Sequence, residues 1–220
     1  MEKYLIKKLK KESEKEEKKI IDLGYNSYIE QYEEIPKTIQ VSEKLFKELW
    51  DLRPKEKGSV NMRGKTFIVN RSFQSYGKPY YFSNEAHEAL PIEHPYLIEL
   101  RKWVCEHSGF DYDQILINWY PDGTAGIGHH SDSEKQLQKG SAIYSFSFGE
   151  TREFVVKAKK EMDFNNLKIS MKNNSLLIMG GEMQKYFTHS VPKCTKTHIS
   201  NDSCSHFGPR INITFRLFQR

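Results

Sequence analysis

Arg210-Ile211-Asn212-Ile213-Thr214-Phe215-Arg216 is the stretch on which the fold of this chain turns. Side chains on an extended strand alternate between two faces, so Ile211, Ile213 and Phe215 form one apolar face and Arg210, Asn212, Thr214 and Arg216 the other. The apolar face belongs on a core. The polar face is costly to bury unless it meets solvent or a polar ligand. Guanidinium groups grip carboxylates in a bidentate way, so two arginines in the mouth of a β-barrel suit a small dianion.

The text upstream has the same texture. Gln114 to Tyr120, Ser141 to Phe148, Arg152 to Lys159, Leu167 to Met171, Ser175 to Met179 and Ile211 to Phe218 are short aromatic or β-branched runs separated by Gly, Asp, Asn and Pro. Successive short strands without helical patterns between them favour a sandwich, jelly roll or barrel over a parallel α/β sheet. Helices are expected earlier. Ser42 ahead of Leu45, Phe46, Leu49 and Trp50 predicts a capped helix stopped by Pro54, and a second follows Pro95, burying Leu97, Leu100, Trp103 and Val104 before Ser108-Gly109 ends it. The dense charges of Glu2 to Lys19 predict a solvent-exposed helix or frayed arm. Residues 1–40 are therefore expected to be a charged helical extension, and 41–220 a single domain.

At 220 residues, 37% hydrophobic, the chain can bury a full core. No apolar run is long enough to span a bilayer, the N-terminus is charged rather than signal-like, and three cysteines are an odd number. The expectation is a soluble protein of a reducing intracellular compartment, nuclear or cytoplasmic. A net charge of +5 permits a polyanionic partner without requiring one. The excess is local: Arg53 to Lys78 holds seven cations against Glu56, a net +6, leaving −1 for the remainder. Interleaved with Phe67, Phe73, Tyr76, Tyr80, Tyr81 and Phe82, such a segment suits phosphate neutralisation and base stacking. A hairpin with core aromatics and solvated lysines is the competing reading.

Chemistry enters at His129-His130-Ser131-Asp132. Residues i and i+2 of a strand share a face, so His130 and Asp132 converge while His129 points away. His189, in Thr188-His189-Ser190 beyond Gly180-Gly181, offers a third ligand. Two imidazoles and a carboxylate with open positions form the facial arrangement associated with non-haem Fe(II) oxygenases.

With these residues in view, the sequence resembles the AlkB-type 2-oxoglutarate and Fe(II)-dependent dioxygenases, the oxidative nucleic-acid dealkylases. The resemblance runs through Asn118-Trp119-Tyr120-Pro121-Asp122-Gly123, His130-Ser131-Asp132-Ser133-Glu134, Ser145-Phe146-Ser147-Phe148-Gly149, His189-Ser190-Val191-Pro192 and the Arg-x-Asn-x-Thr-x-Arg strand, covering roughly Arg53 to the C-terminus. It implies a double-stranded β-helix (a cupin-like jelly roll over about 110–220), mainly β with N-terminal helices, and a nucleotide-recognition lid over about 53–90. It implies Fe(II) on His130, Asp132 and His189, and 2-oxoglutarate with its distal carboxylate on Arg210, assisted by Asn118 and Tyr120. Arg216, with Asn212 and Thr214, would line the metal-side carboxylate. The implied reaction uses O2, releases succinate and carbon dioxide, and hydroxylates an N-alkyl carbon so that the hemiaminal collapses to an aldehyde and the repaired base.

The resemblance also reaches the lid, through Arg71-Ser72-Phe73-Gln74-Ser75-Tyr76-Gly77 and Tyr80-Tyr81-Phe82-Ser83. A base must leave its duplex to reach iron, so it is expected to be flipped and stacked. Phe82 is expected to stack opposite the His130 ring, Glu134 to accept from an exocyclic amine of adenine or cytosine, and Tyr80, Arg71 and Tyr76 to support the pocket. Met62-Arg63-Gly64 stands where duplex-repairing relatives place an apolar wedge next to a glycine. Arginine is the weaker wedge and the better phosphate ligand, so DNA and RNA, single and double strands, all stay open. The expected partner is alkylated DNA or RNA, acted on by a monomer without membrane association.

Cys194, His198, Cys204 and His206 offer four ligands for a structural zinc; a loop with incidental cysteines is the favoured reading. Two rivals to the dealkylase reading are a 2-oxoglutarate-dependent hydroxylase of a protein or small molecule, and a non-catalytic nucleic-acid-binding module on the same fold.

Overall fold

The computed structural model describes residues 18–56, 58–62, 65–82, 85–132, 137–160, 162–194 and 208–219, with backbone only at 60–62, 66, 80–82 and 85–87. In chain order the elements are β1 (Lys18–Gly24), β2 (Ser27–Tyr32), α1 (Glu43–Asp51), β3 (Ser59–Met62), β4 (Lys65–Ile68), β5 (Ser72–Gly77), β6 (Tyr80–Phe82), β7 (Glu85–His87), β8 (Ala89–Leu90), α2 (Pro95–Ser108), β9 (Gln114–Tyr120), β10 (Ile127–His130), β11 (Ile143–Gly149), β12 (Arg152–Ala158), β13 (Leu167–Met171), β14 (Ser175–Gly181), α3 (Met183–Tyr186), β15 (Phe187–Val191) and β16 (Arg210–Arg216).

Strand β16 lies inside an eight-stranded sheet of order β1-β2-β14-β11-β16-β9-β5-β8. A four-stranded sheet of order β10-β15-β12-β13 faces it. The alternation along β16 is realised in full: Ile211, Ile213 and Phe215 pack on the helical side with Trp119, Phe146, Leu49, Leu97 and Leu100. Between the sheets, Ile29, Tyr120, Ile143 and Leu177 meet Phe154, Val156, Ile169 and Phe187. This is the jelly roll, with α1 and α2 as an outer layer. Each fully buried Ile, Leu or Phe on these faces contributes about 1.5–3 kcal/mol.

Both helices begin and end where their end signals predict. Ser42 Oγ accepts from Leu45 N–H at 3.3 Å, capping α1, and Trp119 Nε1 donates to Leu49 O at 2.9 Å, fastening that helix to the sheet. Pro95 opens α2, and Gly109, at φ +75°, closes it in the left-handed conformation that a residue without Cβ adopts freely.

Two expectations are corrected. The segment before residue 41 is not a helical extension where it is described. Residues 18–32 form the β1–β2 hairpin, and β2 pairs with β14 from Leu176↔Tyr32 to Gly181↔Ser27, so the domain already includes Lys18. The sign is in the burial: Ile29 of β2 packs between the sheets and Tyr32, on the opposite face, packs on the helical side, which dense charge in the neighbouring text obscures. The lid also divides. β3–β4 and β6–β7 are separate two-stranded ribbons, whereas β5, between them, pairs along its whole length with β9 in the large sheet.

Candidate active site

The polar face of β16 looks into a cavity between the two sheets, of about 650 Å³ including the space at its mouth. Register sets its floor: Arg210 lies opposite Tyr120, Asn212 opposite Asn118, and Thr214 opposite Leu116. The smaller sheet supplies the other wall. His130 at the end of β10 pairs with His189 on β15, and Asp132 follows just past the strand. One potential ligand atom from each of His130, Asp132 and His189 lies within 4.8 Å of the other two. The three predicted ligands therefore meet. His129 faces the other way, with Nε2 3.2 Å from Ser190 Oγ and Nδ1 3.5 Å from Thr188 Oγ1.

The donor set suits a ferrous ion, since imidazole and carboxylate accept this metal and a three-residue set leaves positions open. The Nδ1 of His130 sits 2.9 Å from Gly128 O, which only an N–H can approach so closely, so Nε2 keeps its lone pair for a metal. Burial, with Arg216 and Arg71 nearby, lowers the His130 pKa despite Asp132, and keeps the ring neutral. His189 is pushed down to about 3 by burial and by His130. Phe154 stacks on its ring at 5.3 Å. Burial alone raises the Asp132 carboxyl, but Arg216, His189 and His130 outweigh it and hold the group well below the usual carboxylate range. Arg216 Nη2 donates to Asp132 Oδ1 at 3.1 Å.

At the other end, Arg210 is 1% exposed. Its Nη2 donates to Ser147 Oγ at 2.9 Å, and the guanidinium lies 5.0 Å from the Tyr120 ring centre. Burial lowers its pKa to about 10, against the pull of Tyr120, so it remains a cation at neutral pH. Its Nε and Nη1 find no hydrogen-bond partner, and it has no carboxylate partner, among the described residues. A buried cation in that condition is expensive unless an anion arrives. The distal carboxylate of a diacid would complete it.

Other predicted residues take more specific places. Asn118 Oδ1 accepts from Arg71 Nε at 3.1 Å, and Arg71 lies 5.4 Å from the Phe73 ring; both line the cavity. Asn212 is committed to the sheet: its Nδ2 donates to Ser145 Oγ at 2.9 Å and Phe146 O at 2.8 Å, and its Oδ1 accepts from Thr214 Oγ1 at 3.1 Å. Asn212 and Thr214 line the cavity while bracing one another. Tyr76 is a correction. On β5 it lies opposite Ile115 and is buried in the outer core, because Phe73 and Ser75 take the cavity-side positions. Met62, Tyr80 and Phe82 lie on the backbones of β3 and β6; Arg63, Gly64 and Glu134 lie outside the described residues. So do His198, Cys204 and His206, while Cys194 is buried with its N–H on Gly123 O at 2.8 Å.

Sequence reasoning passes over Phe154 and Arg152, and names Phe73 and Ser147 only within longer motifs without their place in the cavity. Arg152 is 2% exposed and donates through Nη2 to Ala125 O and Pro192 O, both at 2.7 Å, tying the β9–β10 loop to the end of β15. It had a signal, since Arg152, Phe154 and Val156 share one strand face and a charge on an apolar stripe asks for a partner.

Residues 30–216 match the family described as the 2OG-Fe(II) oxygenase superfamily. The chain belongs to that superfamily. Its relatives are of the AlkB type. It is 34% identical over 149 residues to alpha-ketoglutarate-dependent dioxygenase alkB homolog 3 of Bos taurus, covering 64% of this chain and 49% of that protein. It is 31% identical over 166 residues to DNA oxidative demethylase ALKBH2 of Mus musculus, covering 71% and 65% respectively. The chain thus spans from about half to just under two thirds of the length of these curated relatives. A solved structure titled "The structure of OsALKBH1" shares the fold, with TM-score 0.56, 15% identity and 90% of this chain covered. The superfamily's cofactors are Fe(II) and 2-oxoglutarate, with O2. No helix among the described residues is long and apolar enough to cross a membrane.

Proposed function

We propose that this chain removes N-alkyl groups oxidatively from bases of DNA or RNA, consuming O2 and 2-oxoglutarate and releasing succinate, carbon dioxide and an aldehyde. The observation that carries the reading is that one cavity holds both the His130-Asp132-His189 cluster and the buried, incompletely satisfied guanidinium of Arg210. His130, Asp132 and His189 would hold the iron, and Arg210, flanked by Tyr120 and Ser147, the far carboxylate of the co-substrate. Bound iron with 2-oxoglutarate and O2 supplies the oxidising chemistry. The protein's own part is placement. Arg216 fixes the Asp132 carboxylate, Phe154 and Met179 give the cavity apolar walls, and Arg71 joins the co-substrate side to the lid through Asn118.

The nucleic-acid substrate rests on the names of the relatives and on the aromatic, basic text of the two ribbons. Phe82 and Tyr80 on β6, with Glu134, are the proposed base contacts, and Met62-Arg63-Gly64 the proposed contact at the flipped-out position. The test is mass spectrometry of methylated DNA and RNA oligonucleotides incubated with iron and 2-oxoglutarate. The expected result is succinate formed in step with loss of N-methyl groups. Succinate formation indifferent to every nucleic acid, or stimulated by peptide pools instead, overturns the substrate and leaves the oxygenase class standing.

A further inference from the structure

Asp132 occupies an awkward place for a metal ligand. The β10–β15 ladder closes at His130↔His189, so Asp132 sits beyond its last pair. A side chain from elsewhere reaches its main chain. The Asp132 N–H donates to Gln184 Oε1 at 3.0 Å, and both residues are buried. Gln184 lies on α3, the single turn that runs directly into β15 and His189. Its Nε2 donates to Met179 Sδ at 3.7 Å, and its main-chain carbonyl accepts from Lys159 Nζ at 2.5 Å. The sense of the amide is unambiguous, because a main-chain N–H can face only its oxygen.

We propose that Gln184 is a positioning residue for the metal: it ties the main chain of Asp132 to the turn that launches His189, keeping two ligands on separate segments at one spacing. The inference rests on the reading of His130, Asp132 and His189 as the metal-binding trio. Arg216 and Gln184 divide the task. The guanidinium orients the Asp132 carboxylate from the large sheet, and the amide fixes the backbone from which that carboxylate projects. Metal ligands tolerate displacements of only about 0.2 Å. Groups that orient ligands from behind typically cost 10–100-fold in metal affinity when lost.

The test uses Co(II) as an oxygen-stable probe, titrated into the metal-free full chain and followed by its visible absorption, alongside thermal unfolding of the same metal-free samples. The parent is expected to bind one Co(II). Gln184→Met keeps the length and loses the amide oxygen, and is expected to bind about tenfold or more weaker with a changed ligand-field spectrum and an unfolding midpoint close to the parent's. Gln184→Glu keeps an acceptor at the same reach, and is expected to return much of the affinity. Equal Co(II) affinity in parent and Gln184→Met overturns the inference while leaving the metal site intact. Affinity falling only in proportion to the unfolding midpoint in both variants also overturns it, since Gln184 would then be a packing residue. A parent that binds no Co(II) removes the metal reading itself, and this inference with it.

Discussion

Arg210 shows what a single side chain decides here. Its buried guanidinium contacts Ser147 and the face of Tyr120 and keeps two N–H directions for a ligand. Charge-assisted hydrogen bonds contribute about 1.5–3 kcal/mol, so Arg210→Met is expected to raise the KM for 2-oxoglutarate by about ten- to a hundredfold. Co(II) affinity without co-substrate should stay unchanged, and a titration in which both fall together would contradict the division of the cavity into two ends. The trio gives a second prediction. His130→Ala and Asp132→Ala should abolish 2-oxoglutarate turnover, whereas His129→Ala, whose ring faces Thr188 and Ser190, should largely spare it. Equal loss in all three would mean the wrong strand face. At these positions sequence was a good guide, because strand period alone separates His129 from His130 and groups Arg210 with Arg216. It was a poor guide to Gln184 and Arg152, whose partners are main-chain atoms more than 25 residues away, and to Tyr76, whose neighbouring aromatic motif masked a core position.

Among the elements, the β1–β2 hairpin is the one whose role differs most from its sequence. Charge at the N-terminus reads as solvent exposure, and β1 is indeed largely exposed, but β2 hydrogen-bonds to β14 and buries Ile29 and Tyr32. Ile29→Ala is expected to cost about 2–5 kcal/mol of unfolding free energy, measured by urea denaturation. A loss under about 0.5 kcal/mol, typical of surface changes, would show the hairpin to be dispensable. The starts of α1 and α2 and the end of α2, by contrast, were legible to the residue, because Ser42, Pro95 and Gly109 act through local backbone geometry that does not depend on the rest of the fold. The limits of β9, β11, β12, β13, β14 and β16 were legible to within a few residues for the same reason. Pairing order was not, since nothing local tells β14 to seat between β2 and β11.

For the molecule as a whole, the basic segment is weaker than its formal +6. Arg71 is buried against Asn118, Lys78 pairs with Asp113 at 2.5 Å, and Arg53 lies 3.5 Å from Asp51 and over Trp50. At most four of the seven cations can remain for phosphates on this segment: Lys55 and Lys65, with Lys57 and Arg63, which lie outside the described residues. The affinity for a methylated single strand should then fall with salt at a log–log slope near about −3, read from fluorescence anisotropy between low and physiological salt. A slope near zero would detach the ribbons from nucleic-acid binding, and one near −5 or steeper would require cations elsewhere on the surface.

Strand β16 is reached late in the chain yet sits between β9 and β11, which precede it by many residues. Synthesis runs from the N-terminus, so a polypeptide halted before residue 210 lacks the strand that joins β9 to β11 and both arginines that line the cavity. Such a fragment can carry every metal ligand and still have nothing with which to grip a diacid. The order of the strands thus leaves the cavity without Arg210 and Arg216 until the strand that fills the middle of the large sheet has been made.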